Sequence, residues 1–214
     1  MTFRISAAAL LTSILLTAQT KLLPVDESAS DPQFSKFYQS FRTAVSQKDA
    51  KGLLSILDPE VETELDGDKG PRAFERYWNP SDSKSKVWTE LAAVTGLGGS
   101  FSTEQGTRMF CAPYTYSKFP DAIDSFDHGV ILRANVELRS RPSESSPVVG
   151  KLSHDIVKVP SWEASRTDAG WIRVATRAGT GYVRSTDIRS PIDFRACFHR
   201  KGGRWLLRYL IAGD

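Results

Sequence analysis

The chain has 214 residues, of which 40% are hydrophobic and 25% charged, and a formal net charge of +3 at neutral pH. This is the composition of an ordinary globular protein, with room for one domain or two small ones. No stretch offers the roughly 20 apolar residues of a membrane-spanning helix, and the three histidines and two cysteines lack metal-ligand spacing, which leaves no zinc site.

At the N-terminus, Arg4 gives a positive start and Ile5 to Leu16 is an apolar run the length of a signal-peptide core. Ala18 is the best-placed last residue, although Leu16 is bulkier than the small residue preferred two positions earlier. Thr12, Ser13 and Thr17 leave no amphipathic stripe, which argues against a buried helix. No Cys follows the run, which argues against a lipoprotein anchor. Residues 1–20 are therefore expected to be an export signal, and the protein periplasmic or secreted, with no stable membrane insertion once the signal is removed.

After a polar leader, Asp31-Pro32 supplies an N-cap and a first helical residue. Phe34, Phe37, Phe41, Ala44 and Val45 continue at helical spacing to about Gln47. Asp49 caps a second short helix through Leu53, Leu54 and Leu57, which Asp58-Pro59 is expected to end. Glu60 to Leu65 reads as a short strand or an irregular acidic stretch. Pro71 opens a helix carrying Phe74, Tyr77 and Trp78 and stopped at Asn79-Pro80, and Lys86 to Val94 is a further helix ended by Gly96 to Gly99. From Thr107 the helical period vanishes: Arg108 to Tyr116 is a strand run, followed by an acidic loop to Asp127. At the far end, Phe194 to His199, Lys201-Gly202-Gly203 and Trp205 to Ile211 read as strand, turn and strand.

Charge is uneven. Residues 21–129 carry 12 basic and 17 acidic side chains, and residues 130–214 carry 15 and 8. The basic half suits either a solvated surface or an anionic partner such as cell-wall polymer, lipid headgroups or an acidic protein. Nucleic acid is not expected of an exported chain. Export and an even count favour a Cys111–Cys197 disulfide. Strand alternation opposes it, grouping Cys111 with Met109 but Cys197 with Arg195 and His199. Both states stay open; a bridge would add roughly 4 kcal/mol on the chain-entropy view.

Between these regions, Ala134 to Ile188 holds five short strand-like runs separated by Pro, Gly and Ser turns, the pattern of a small β-barrel. Val136-Glu137-Leu138-Arg139-Ser140, Pro142-Ser143 and Ser146-Pro147-Val148-Val149-Gly150-Lys151-Leu152 lead it. Gly170-Trp171-Ile172-Arg173-Val174 and Gly179-Thr180-Gly181-Tyr182-Val183 close it. In order and spacing these segments resemble the bacterial SH3 domain family of exported cell-envelope proteins. Arg141 departs from the glycine usual before the proline, His154-Asp155 from the usual turn, and the Trp162 to Asp168 loop is long. The resemblance covers about a quarter of the chain. It implies recognition of a cell-wall peptide or an envelope protein, with Arg139, Trp171 and Tyr182 as candidate ligand-binding residues. Judged on residue type alone, Trp171 and Tyr182 suit core or half-buried positions better than ligand platforms. The first-helix aromatics with Trp205 also loosely resemble the nuclear-transport-factor-2-like cone fold.

The expected architecture is α+β: a helical N-terminal region over residues 21–130, an SH3-like barrel over 131–190 and a C-terminal hairpin over 191–214 that can pack with the N-terminal region. Catalytic signatures are missing. Neither cysteine opens a helix next to a base, no Gly-x-Ser-x-Gly elbow occurs, and Gly96 to Gly99 follows a helix instead of joining strand to helix. The acidic run Glu60 to Asp68 matches no calcium loop and reads as a solvated edge. The expectation is a non-catalytic, exported binding protein without cofactor or metal. An enzyme with its site in the N-terminal half, of the cell-wall hydrolase type, and a structural or inhibitory protein are the alternatives.

Overall fold

The computed structural model describes residues 20–65, 67–104, 106–177 and 179–213. The expected export signal lies, but for Thr20, outside them. Helix α1 (Pro32–Gln47) starts where Asp31 accepts hydrogen bonds from the Gln33 and Phe34 N–H groups, and α2 (Ala50–Leu54) where Asp49 accepts from Gly52. Strand β1 (Leu57–Glu62) follows. The second helix therefore stops sooner than expected and Pro59 lies inside a strand. A proline is tolerated there because β1 is an edge strand, with one side free of ladder partners. Helices α3 (Pro71–Trp78) and α4 (Lys86–Gly96) come next. Phe74 and Trp78 of α3 are buried, but Tyr77 is exposed.

The glycines after α4 lead into β2 (Ser100–Glu104), a polar strand that hydrophobic patterning passes over. Gly98 has φ +71°, and a Cβ there would stand 2.5 Å from the Val25 carbonyl oxygen. Strand β3 (Thr107–Ala112) pairs antiparallel with β2, and the expected continuation of β3 to Tyr116 is instead a helical turn, α5 (Tyr114–Ser117).

Then come β4 (His128–Ile131), β5 (Val136–Arg139), β6 (Val148–Leu152), β7 (Ile156–Lys158), the turn α6 (Trp162–Ser165), β8 (Trp171–Thr176), β9 (Gly179–Arg184) and β10 (Ile188–Arg189). The last strands, β11 (Arg195–Lys201) and β12 (Arg204–Ile211), form a hairpin. Its turn is Gly202-Gly203, both at positive φ, the backbone that tight hairpins need.

The strands make two sheets, and the chain is a mixed α+β protein. One sheet has the order β1-β12-β11-β3-β2, with β1 parallel to β12 and the other pairs antiparallel. The other has the order β10-β4-β7-β8-β9-β5-β6. The barrel expected over 134–188 is not closed. Strand β4 enters between β7 and β10, and no pairing joins the edges β10 and β6 among the described residues. The sheet still wraps one core, which runs from Ile188 on β10 through Ile172 and Val183 to Leu152 on β6.

The first sheet buries an aromatic layer under α1. Phe34 packs 4.5 Å from Phe110 and 4.8 Å from Trp205, ring centre to ring centre, and Phe41 lies 5.0 Å from Phe198. Its opposite face carries Met109, Cys111 and Cys197 with Tyr116 and Tyr209. Cys111 and Cys197 are joined in a disulfide. Everything from α5 to β10 thus lies between two strands that are hydrogen-bonded side by side and covalently tied.

Candidate ligand-binding groove

Strands β5, β8 and β9 and the loop after β5 enclose a groove of about 360 Å³. Arg139 lies at its side, only 16% exposed. Its Nη1 donates to the Ser146 carbonyl at 2.7 Å, and Nη2 pairs with Glu137 and lies 3.9 Å from Glu144. The loop is held in place by Ser146, whose hydroxyl donates to the Arg141 and Ser143 carbonyls, each at 2.9 Å.

Trp171 is buried, and Arg184, its cross-strand partner on β9, spreads its guanidinium 4.2 Å from the indole centre. The same guanidinium donates from Nε to Glu144 at 2.7 Å. Arg133 pairs with the buried Asp187 at the far end. Tyr182 stands opposite Arg139 on one side and Arg173 on the other, half-buried, and is not among the lining residues. Of the three sequence candidates, Arg139 and Trp171 line the groove and Tyr182 flanks it.

Sequence reasoning missed Arg133, Glu137, Glu144 and Arg184. Arg184 carries a readable signal, lying two residues beyond Tyr182 on the same strand face. Glu144 sits in a Ser/Pro loop with no periodicity. The lining balances Arg133, Arg139 and Arg184 against Glu137, Glu144 and Asp187, so this groove does not concentrate the positive charge of the C-terminal half. Glu144 is its exchangeable member. Its side chain is 64% exposed and serves two arginines, and exposed pairs of this kind contribute only about 0–1 kcal/mol. An incoming carboxylate can exchange with it on Arg184, beside Arg139, at small net cost.

A second polar cluster joins β1 to β11. The Asp58 carboxylate is fully buried; His199 Nε2 lies 2.7 Å from Oδ2, Lys201 Nζ is 3.3 Å from the same oxygen, and the Glu60 N–H donates to Oδ1 at 2.7 Å. Burial alone would raise this carboxyl, but those hydrogen bonds outweigh it and hold the group below the usual aspartate range. Among the described residues no group of three or more His, Cys, Asp or Glu side chains could hold a metal ion, and no helix is long and apolar enough to cross a membrane.

No family model matches the chain, and no curated protein matches it. Among solved structures, the chain is similar to an NTF2-like protein of unknown function from Pseudomonas putida. The match has 10% identity and a TM-score of 0.27 and covers 86% of this chain and 84% of that one.

Proposed function

We propose that this is an exported, non-catalytic binding protein of the bacterial cell envelope. In this reading the seven-stranded sheet acts as an SH3-type module, and a cell-wall peptide or a peptide segment of an envelope protein binds in the groove beside Arg139 and Trp171. The observation that carries the reading is the Arg139–Glu144–Arg184 arrangement, two guanidiniums sharing one exposed carboxylate above a buried indole. A peptide carboxylate fits in place of Glu144, while Glu137 remains to meet a peptide amine. The disulfide supports an oxidising compartment, periplasmic or extracellular.

The test is a pull-down on purified peptidoglycan at low salt, run beside protein cross-linking in the native envelope. Retention or capture that is lost in Arg184→Ala and strengthened in Glu144→Gln supports the groove. No retention, no captured protein and no response to either variant would remove the reading.

A second reading for a protein partner rests on β6, an edge strand whose Val148 and Val149 are exposed. An extended segment can add to such an edge by backbone hydrogen bonds. Capture that survives Arg184→Ala but is lost in Val149→Pro would place the partner there.

A further inference from the structure

A cavity larger than the groove lies elsewhere in the molecule. It lies where the two sheets meet, between α4, α6, β10 and the chain leading into β11, and has a volume of about 660 Å³. That is within the range of about 300–1,000 Å³ usual for small-molecule sites. Its walls are mainly apolar, with Leu97, Leu132, Ile172, Ile188 and Ile192 prominent. Nothing in the peptide-binding reading uses it.

The polar groups in these walls are unevenly satisfied. Arg189 is nearly buried; its Nη2 donates to the Phe194 carbonyl at 2.9 Å and lies 3.6 Å from Asp193, but its Nε is buried with no partner among the described residues. Trp162 lines the same space, and its indole N–H is likewise buried and unpartnered. Both donors are shut off from the cavity as well as from protein acceptors, so the charge of Arg189, and not a free N–H, is what it lends to the space. Arg166, exposed at the end of α6, lines the cavity too and makes no ion pair among the described residues.

Two cations therefore face one lining carboxylate. Asp193 sits half-exposed beside Arg189. Glu90, the other acid that feels Arg189, lines the neighbouring cavity with Trp78 and Phe194, and burial and the Asp193 charge disfavour its ionisation. The remaining deficit is a single negative charge. A dianionic phosphate would bring more charge than the deficit and set the surplus against Asp193.

We propose that this junction cavity is a second binding site, and that it takes a small amphiphilic monocarboxylate. The apolar body lies against Leu97, Leu132 and Ile188, and the carboxylate pairs with the exposed Arg166, in the field of the nearly buried Arg189. A ligand seated there touches both sheets and ties them together.

The experiment is calorimetric titration of the purified chain with sodium decanoate, with 1-decanol as the uncharged analogue. Decanoate is expected to bind saturably at one site, about tenfold or more tighter than decanol, as a charge-assisted head contact requires. Arg166→Gln, an exposed change that leaves the fold intact, should weaken decanoate severalfold. Ala93→Phe, on the exposed cavity side of α4, should abolish binding by filling the space. Arg184→Ala in the groove should leave decanoate untouched, which separates this site from the proposed peptide site. Absence of saturable decanoate binding, equal affinity for decanol, or indifference to both Arg166→Gln and Ala93→Phe with unchanged melting temperatures would each overturn the proposal.

Discussion

Cys197 stands directly opposite Cys111 across the β3–β11 pairing, and both are buried on the face of the sheet turned away from α1. The bridge spans 86 positions of sequence, and on the chain-entropy view a loop of that size is stabilised by about 4–5 kcal/mol. The Cys111→Ala/Cys197→Ala double variant should lose most of that and melt roughly 10 °C lower in calorimetry. Because the sulfurs are shielded, dithiothreitol should reduce the native protein no faster than the sheet opens, and rapidly in denaturant. Fast reduction of the folded protein, read by thiol labelling, would show that the face is open.

The bridge also shows where strand alternation misleads. Cys197 does share a face with Arg195 and His199, but that face is not open to water. Arg195 lays its guanidinium 4.6 Å from the centre of the Tyr116 ring, and the cysteines pack with Met109 and Tyr209. A charged residue with a long apolar stem can roof a buried surface, which polarity alone does not reveal. Local signals fared better: Asp31, Pro32 and the spacing of Phe34, Phe41 and Val45 fix α1 within the chain's own neighbourhood. Strand β1 with Pro59 depends on a parallel partner at the far end of the chain, and the groove depends on Glu144 and Arg184, brought together by turns with no sequence period. The entry of β4 into the second sheet is equally non-local, which is why a closed barrel looked sufficient.

Asp58 predicts an acid limb of stability. Its burial raises the carboxyl, the bonds from Glu60, His199 and Lys201 lower it further than burial raises it, and the folded value ends below the unfolded one of about 3.9. A group depressed in the folded state stabilises fully above its unfolded pKa, and the contribution is lost as pH falls through the folded pKa. Asp58→Asn should therefore cost about 2 kcal/mol at pH 7. The gap from the parent should narrow as pH falls below the usual aspartate range and through the lowered folded pKa, in urea melts run across the pH range. A constant gap at all pH values would mean that packing, not charge, is lost.

Within the Gly179-Thr180-Gly181 run the two glycines serve different ends. At Gly181 a Cβ would lie 2.6 Å from Leu138 Cγ and 2.8 Å from the Arg139 carbonyl oxygen, whereas at Gly179 the space is open and the demand is φ +125°. Gly181→Ala should cost about 2–3 kcal/mol by overpacking. Gly179→Ala should cost about 1 kcal/mol by backbone strain. Equal melting temperatures for the two variants would show that Leu138 yields.

The leader that precedes α1 acts as a strap between the sheets. The Ile156 N–H donates to the Thr20 carbonyl, the Leu22 N–H donates to His154, and Lys21 pairs with Asp155, all on the seven-stranded side. A few residues on, the Glu27 N–H donates to Gly99 while its carboxylate accepts from the Phe101 N–H at 2.9 Å, on the five-stranded side. Leu22 is buried with Tyr114, Val130 and Ile156 in the small core between them. Leu22→Ala should cost about 2–3 kcal/mol for the lost burial and the cavity left behind. Because that loss falls at the seam, it should also broaden thermal unfolding into two transitions by separating the sheets before either core melts. Unfolding that stays single and sharp, with the midpoint merely lowered, would show that the disulfide and the β10 to β11 connection couple the sheets without the strap.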